Sequence, residues 1–459
     1  MGLLTFQDFE KADDKKQFLL SAINAHRSSD DYKIAVDADE YDHERNVTIL
    51  NYLKVMFTDS GSPVVDFTAS NAKITSNFFH RLNTQRKTYL LGNGVTFNQE
   101  STKTKLGVDF DNTLMDIAYS ALIKKVAYGY WNYDHLVMFE YTEFVPLYDE
   151  ETSALRAGIR FWQISKEKPL FITLYEEDGF TLYKSQADDV EAIQEIQPKK
   201  PYVQTYQYTP ADGEIITGGN NYSSLPIIPL WGSQLHQSTL VGMRTKIDSY
   251  DLVRSGFAND LNDVQQIYWL IENAGGMDDE DLQKFRDRLK IQHIAKIDTR
   301  GDAKVTPYTQ EIPYQARKEF LNDIKAQIYE DFGALDVHTV AAGATNDHID
   351  AAYQPMDEEA DDFEKQVSNF ILQLLALIGV EDYPSFKRNR VSNETERTAM
   401  ILSASEYLDD ETILSKLPFI TIDEVKTIME KKDIENRDRF TVPPEPTNDS
   451  KEDKEETNE

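Results

Sequence analysis

Two histidines and two aspartates, His338, Asp347, His348 and Asp350, share one run of small residues, HTVAAGATNDHIDAAY. Imidazole and carboxylate together are ligands for a hydrolytic divalent metal, so a metal-dependent hydrolase built on residues 336–350 is one reading. The spacing argues against it. The histidines are not one helical turn apart, and the alanine and glycine between them make a loose spacer. The plainer reading binds no metal: Asp347 caps a following helix and His348 faces solvent. Other chemistry-bearing groups also read as structure. The acids of DDED (278–281) have the chemistry for Mg²⁺ but suit a helix N-terminus better. The GNG at 92–94 follows a helical pattern, not a strand, which makes it a helix cap rather than a phosphate cradle. No P-loop is present, so the chain is not itself an ATP-driven motor. No catalytic residue, metal or cofactor is assigned.

Composition narrows the classes further. The chain has 459 residues, 40% hydrophobic and 11% aromatic, enough for two to four domains with real cores. With 80 acids against 48 bases its formal charge is −32, which repels nucleic acid at long range and disfavours a basic DNA binder. There is no cysteine, so thiolate chemistry and disulfides are excluded. The N-terminus lacks a signal-peptide pattern, and Phe6 stands where a myristoylation motif needs Ser or Thr. The longest apolar run, FILQLLALIGV, is too short to span a bilayer. These features point to a cytoplasmic, non-membrane protein.

The elements that must position any site follow from periodicity. Residues 1–45 are polar and read as a loosely held arm with a helix near 18–23. A helical pattern covers about 46–91, with Ile74, Phe78, Leu82, Tyr89 and Leu90 near one face and a stop at Gly92. Another helix is expected over 113–130. Strand-like runs fill 135–232, with EEDG as a hairpin turn. Apolar residues then recur by threes and fours from Leu240 to Ile271, through Ile247, Phe257, Leu261, Val264 and Tyr268. One helix there would be about 48 Å long. A helix of that length packs along others, often in an oligomer. A small module at 273–311 contains a short helix and two strand-like runs. A second helix covers 314–332, with Ala316, Phe320, Ile324 and Ile328 four apart. A third, at 349–378, holds Pro355, which should kink it. In SNETER, Asn393 with Glu396 marks an N-cap. The Pro-rich, acidic tail, 437–459, reads as disordered.

Four segments in order resemble the portal proteins of tailed bacteriophages, of the siphovirus type. NAKITSNFFHRLNTQRKTYLLGNGV is similar to the family's N-terminal helix and Gly-rich turn, and EFVPLYDEETSALRAGIRFW to its wing hairpin. LPIIPLWGSQLHQSTLVGMRTKIDSYDLVRSGFANDLNDV resembles the lead into its stem helix, and SNETERTAMILSASEYLDDETILSKLPFI its C-terminal helical region. The resemblance implies an α+β, mainly helical fold. Its parts would be a β-rich wing (46–235), a stem helix (236–272), a small α/β clip (273–311) and a second stem helix (312–334). A tunnel loop (335–350), a kinked wing/crown helix (351–380) and a helical crown (381–436) would follow.

It further implies a virion protein, no enzyme, that forms a homo-oligomeric ring of about twelve copies at the capsid vertex. Double-stranded DNA would pass through the ring during packaging and ejection. Its partners would be the terminase large subunit, the head–tail adaptor, and the scaffolding and major capsid proteins, with assembly in the host cytoplasm. The channel loop would comprise Asp336, His338, Thr339, Val340, Ala341, Ala342, Gly343, Ala344, Thr345, Asn346 and Asp347. The clip's bases, Arg286, Arg288, Lys290 and Lys296, would meet an acidic partner. Ile247, Phe257, Leu261, Val264 and Tyr268 would pack the stem. Charge fits this role: no Lys or Arg occurs between Asp331 and Asn346, and phosphate contacts by such bases are what make DNA stick. The other readings are the hydrolase above and a non-viral oligomeric scaffold.

Overall fold

The polar first forty residues fold into three packed helices, α1 (Phe6–Lys11), α2 (Lys15–Ser28) and α3 (Asp30–Asp42). This corrects the expectation of a loose arm. Their acids sit at the caps: Thr5 and Asp8 form a capping box, and Asp14 accepts from the N–H groups of Lys16 and Gln17. Phe9, Phe18, Leu19 and Ile23 are thereby left to be buried. The computed structural model describes residues 4–58, 60–66, 70–165, 167–185, 193–208, 216–264, 268–272, 280, 283–284, 304–308, 313–336, 345–390, 394–417, 420 and 422–440. The chain divides into two compact units, Met1–Asp336 with Tyr353–Asn389, and Val337–Ala352 with Arg390–Glu459.

In the first unit, α4 (Val47–Leu50) leads to a hairpin of β1 (Val55–Phe57) and β2 (Pro63–Val65). Helix α5 spans only Phe78–Leu91, not the whole of 46–91, because the Gly61–Pro63 turn breaks the helical pattern. It ends at Gly92, whose N–H bonds Thr88 O, as the sequence indicated. Next come β3 (Val95–Phe97), α6 (Glu100–Leu106) and α7 (Phe110–Lys124). The expected helix 113–130 stops at Lys124, because Val126–Asn132, rich in aromatics, forms strand β4.

The strands β5 (His135–Glu140), β6 (Phe144–Tyr148), β7 (Leu155–Trp162), β8 (Leu170–Glu176), β9 (Gly179–Ser185) and β10 (Gln194–Lys200) follow. After them come β11 (Val203–Tyr208), β12 (Ile216–Asn220) and β13 (Ile227–Trp231). Strands β10-β9-β8-β7-β6 form one antiparallel sheet, and the EEDG turn closes β8 on β9 with Glu176 opposite Gly179. Helices α1 and α2 cover this sheet, with Phe9, Phe18 and Ile23 against Val145, Ile159, Phe161 and Ile172. A second sheet, β13-β4-β5, is covered by α7.

Helix α8 spans Arg244–Val264, shorter than the expected 240–271. The segment Tyr268–Glu272 is instead strand β14, paired antiparallel with β15 (Lys304–Tyr308), Tyr268 opposite Tyr308 and Glu272 opposite Lys304. The run YWLIE has the aromatic and β-branched content of a strand, and a three-four spacing over two residues does not distinguish the two periods. Helix α9 occupies Tyr314–Phe332, the bounds read from the sequence, and closes at Gly333 with φ +64°. Helix α10 spans Asn346–Leu377 with Pro355 inside it. Gly129 of β4 lets Phe370 of α10 lie on the sheet, since a Cβ there would strike the Phe370 ring. Strand β16 (Pro384–Phe386) pairs with β3.

In the second unit, α11 (Glu394–Ser403), α12 (Asp410–Lys416) and α13 (Ile422–Phe440) follow in order. Asp409 caps α12, and Lys432 bonds Asp410 at 2.6 Å. Residues 437–440, expected in the tail, belong to α13 instead; 441–459 and Asn393 lie outside the described residues. Among the described residues no helix is long and apolar enough to cross a membrane.

Candidate functional site

Helix α8 has two working faces. Ile247, fully buried, sits with Phe78, Ile328, Tyr329 and Phe332. Farther along, Phe257 meets Tyr314 of α9 with ring centroids 5.7 Å apart. The Arg317 guanidinium lies 6.0 Å from the Phe257 ring and pairs with Asp260. Lys246 pairs with Asp331 of α9. Of the expected stem residues, Ile247 is thus core and Phe257 packs within the chain, while Leu261 is 50% exposed. Val264 ends the helix and Tyr268 belongs to β14.

The other face is a polar ladder that sequence reading missed. Asp248 accepts from Tyr41 and from Thr48 at 2.8 Å. Asp251 accepts from Asn46. Ser255 Oγ accepts the N–H of Ile74 at 3.0 Å, and Asn259 Oδ1 that of Ala72 at 2.6 Å. Positions 248, 251, 255 and 259 follow the same three-four rule as the apolar stripe, offset around the helix. That offset repeat was the available signal. Burial first, and then Asp248, push the Tyr41 phenol up to about 12.

Beside the ladder lies an open groove of about 540 Å³, lined by Tyr52, Leu252, Val253, Gly256, Ala316 and Phe320 among others. Leu252 and Phe320 are 44% and 45% exposed. Leu50, Leu53, Val55 and Phe57 are exposed in the nearby chain, Phe57 the most. Exposed apolar side chains gathered in this way are a feature of interaction surfaces in general.

The segment leading into the expected channel loop is firmly held. Asp336 pairs with Lys325 at 2.7 Å, and Gln85 donates to Leu335 O at 3.0 Å. Arg86 donates to Phe332 O at 2.6 Å and pairs with Glu359 at 3.0 Å. Arg388 binds three acids of α10, Asp357 at 2.7 Å, Glu364 at 3.1 Å, and Asp361. In the second unit, Thr345 O accepts from His348 and Ile349, so Asn346 and Asp347 lie in the first turn of α10. Asp347 is therefore not the cap but an acid within the first turn, where the helix dipole favours it. His348 is exposed, and Asp350 pairs with Arg390 at 3.1 Å. His338, Thr339, Val340, Ala341, Ala342, Gly343 and Ala344 lie outside the described residues, as do Arg286, Arg288, Lys290 and Lys296. Among the described residues no three His, Cys, Asp or Glu side chains are grouped to hold a metal ion.

A family model described as phage portal protein, SPP1 Gp6-like, matches residues 21–438. The portal protein of Clostridium phage phiCD119 is 31% identical over 236 residues, 48% of this chain and 52% of that protein. The chain thus spans about half the length of that relative. The portal protein of Bacillus phage SPP1 is 24% identical over 406 residues, 80% of this chain and 77% of that protein. Among solved structures, the neck of an empty GTA particle computed with C6 symmetry aligns over 73% of this chain and 88% of its own, with TM-score 0.42 and 10% identity. The neck of a native GTA particle computed with C12 symmetry aligns over 74% and 89%, with TM-score 0.40 and 9% identity.

Proposed function

Because this chain belongs to the SPP1 Gp6-like family of phage portal proteins, we propose that it assembles as a ring at the capsid vertex of a virion. The ring, of about twelve copies, is the channel through which double-stranded DNA enters and leaves. The observation that carries the reading is the family match from 21 to 438, which includes the whole α8–α9 pair. The exposed apolar side chains Leu252, Leu261 and Phe320 on that pair support assembly there. In this reading α8 and α9 are the stem, and neighbouring copies cover those three residues. The strand pair β14–β15 with residues 273–311 is the clip, which docks the terminase large subunit and then the head–tail adaptor. Residues 335–350 line the channel, and 381–436 form the crown. Scaffolding and major capsid proteins meet the ring during assembly in the host cytoplasm.

The chain works without catalysis of its own. Its task toward DNA is to let a polyanion slide. A lining without Lys or Arg between Asp331 and Asn346 makes few phosphate contacts and releases few counterions, so it grips weakly in either direction. The test is mass in solution. Native mass spectrometry of the purified chain gives a closed ring of about twelve copies under this reading. A monomer that requires a metal and hydrolyses a substrate would replace the reading with the hydrolase.

A further inference from the structure

The sheet β13-β4-β5 ends on β13, an edge strand with β4 as its neighbour on one side. At its two ends the N–H of Trp131 bonds Pro226 O at 2.9 Å and the N–H of Gly232 bonds Lys125 O at 3.0 Å. These bonds fix the phase of the ladder. In a register that sets Ile227 opposite Tyr130, the even-numbered residues of 226–232 turn their backbone groups toward β4. Ile227, Pro229 and Trp231 therefore turn theirs outward, and no hydrogen bond among the described residues reaches them. Proline is tolerated there because the N–H it lacks would have pointed away from the sheet. The free edge thus offers three carbonyls against two N–H groups. It opens on a trough of about 920 Å³, whose other walls are Tyr148 of β6, Leu155 of β7, and Gln373 and Ala376 of α10. The Trp231 ring, stacked on His236 with centroids 3.9 Å apart, lines it as well. The rim is acidic. Glu150 and Glu151 are exposed just before Ser153, which lines the trough, and neither has an ion pair among the described residues. Arg156, also in the lining, is neutralised by Glu177 at 3.3 Å.

We propose that the free edge of β13 binds an extended segment of another protein, which adds a strand to the sheet and carries Lys or Arg on its flanks. Outward-facing backbone groups beside an open trough select an extended backbone, whose own N–H groups meet the carbonyls of Ile227, Pro229 and Trp231. The excess of carbonyls and the acidic rim select basic flanks. Charge also disfavours the occupants this chain could itself supply. A second copy, at a formal −32, brings more acid to an acidic rim. The segment 441–459 is Pro-rich and acidic, a composition that suits neither a ladder nor this rim. The proposal does not depend on ring formation.

The probe is a fluorescein-labelled peptide, Lys-Lys-Thr-Val-Thr-Val-Thr-Lys-Lys, whose core favours an extended backbone and whose lysines keep it from pairing with itself. Its fluorescence anisotropy should rise and saturate on titration with the purified chain. Replacing the lysines with Glu, or N-methylating every core amide, should each weaken binding at least about tenfold. The N-methylated peptide keeps its charge, so it separates strand pairing from general attraction to an acidic protein. Ala376→Trp fills the trough from an exposed position and should weaken binding as much without moving the unfolding midpoint. Gln373→Trp, one helical turn earlier and also exposed, serves if that variant does not fold. A photo-crosslinking side chain at Ser224, on the trough wall, should capture the peptide. Absence of saturable binding to the wild type overturns the proposal. So does a Glu-flanked or N-methylated peptide that binds as the parent does, or a filled trough that still binds. Capture of a second copy at Ser224 in place of the peptide assigns the edge to self-assembly and also overturns it.

Discussion

Leu261→Asp separates assembly from folding. Leu261 lies near the end of α8 and is 50% exposed within one chain. Fully burying a leucine contributes about 1.5–3 kcal/mol, so covering the remaining half in a neighbour contributes about 1 kcal/mol per interface. An aspartate buried there without a counter-charge costs a further about 3 kcal/mol. The sum, about 4 kcal/mol, weakens each contact about a thousandfold. The isolated chain is nearly indifferent, since an exposed substitution changes stability by only about 0.5 kcal/mol. The expected result is a chain with wild-type circular dichroism and unfolding midpoint that sediments as a monomer or small oligomer. Phe257→Asp is a poorer probe, because Phe257 already packs on Tyr314 and its loss damages the chain itself. Full rings of Leu261→Asp at normal yield would refute the assignment of this face to the interface.

Three further predictions concern other parts of the chain. Reversing Arg286 and Arg288 to Glu should leave rings intact and weaken capture of the terminase large subunit in a pull-down; unchanged capture moves that interface elsewhere. A bulky or basic insertion between Ala341 and Ala344 should spare rings and impair DNA packaging into procapsids, while replacing His338 and His348 with Ala should leave packaging as in wild type. Asp382 accepts from the Thr102 hydroxyl at 2.6 Å and from the N–H groups of Asn98, Gln99 and Tyr383, which lowers its carboxyl to about 2. Its folded pKa lies below the ordinary carboxylate value of about 3.9, so its stabilisation is complete above that value and is lost as pH falls toward 2. Asp382→Asn should be less stable at neutral pH and flatter across that acid window; a variant parallel to wild type at every pH would contradict the assignment.

Legibility followed whether a local pattern had one answer. Helix α9 was readable because Ala316, Phe320, Ile324 and Ile328 keep one spacing; Gly333, which closes it, was a stop that the reading did not use. The β8–β9 hairpin was readable because EEDG sits between two alternating runs. Strand β14 was not, because its partner β15 lies more than thirty residues on, across the 273–303 segment, and pairing rather than propensity fixes it. The N-terminal helices were obscured by a high density of charge that proved to be caps and outer faces. At the candidate site the apolar stripe of α8 was legible, whereas the ladder of Asp248, Asp251, Ser255 and Asn259 was hidden. Polar residues on a helix read as solvated until something is seen to bond them, and here the partners are the Tyr41, Thr48 and Asn46 side chains and the backbone N–H groups of Ile74 and Ala72.

The central claim is a closed ring around a channel, and electron microscopy of the purified chain tests it most directly. The account predicts end-on views of a ring of about twelve copies with an open centre. Side views should place a narrow stem below a wider body. Monodisperse single chains, or open filaments without a central channel, at the same concentration would contradict it.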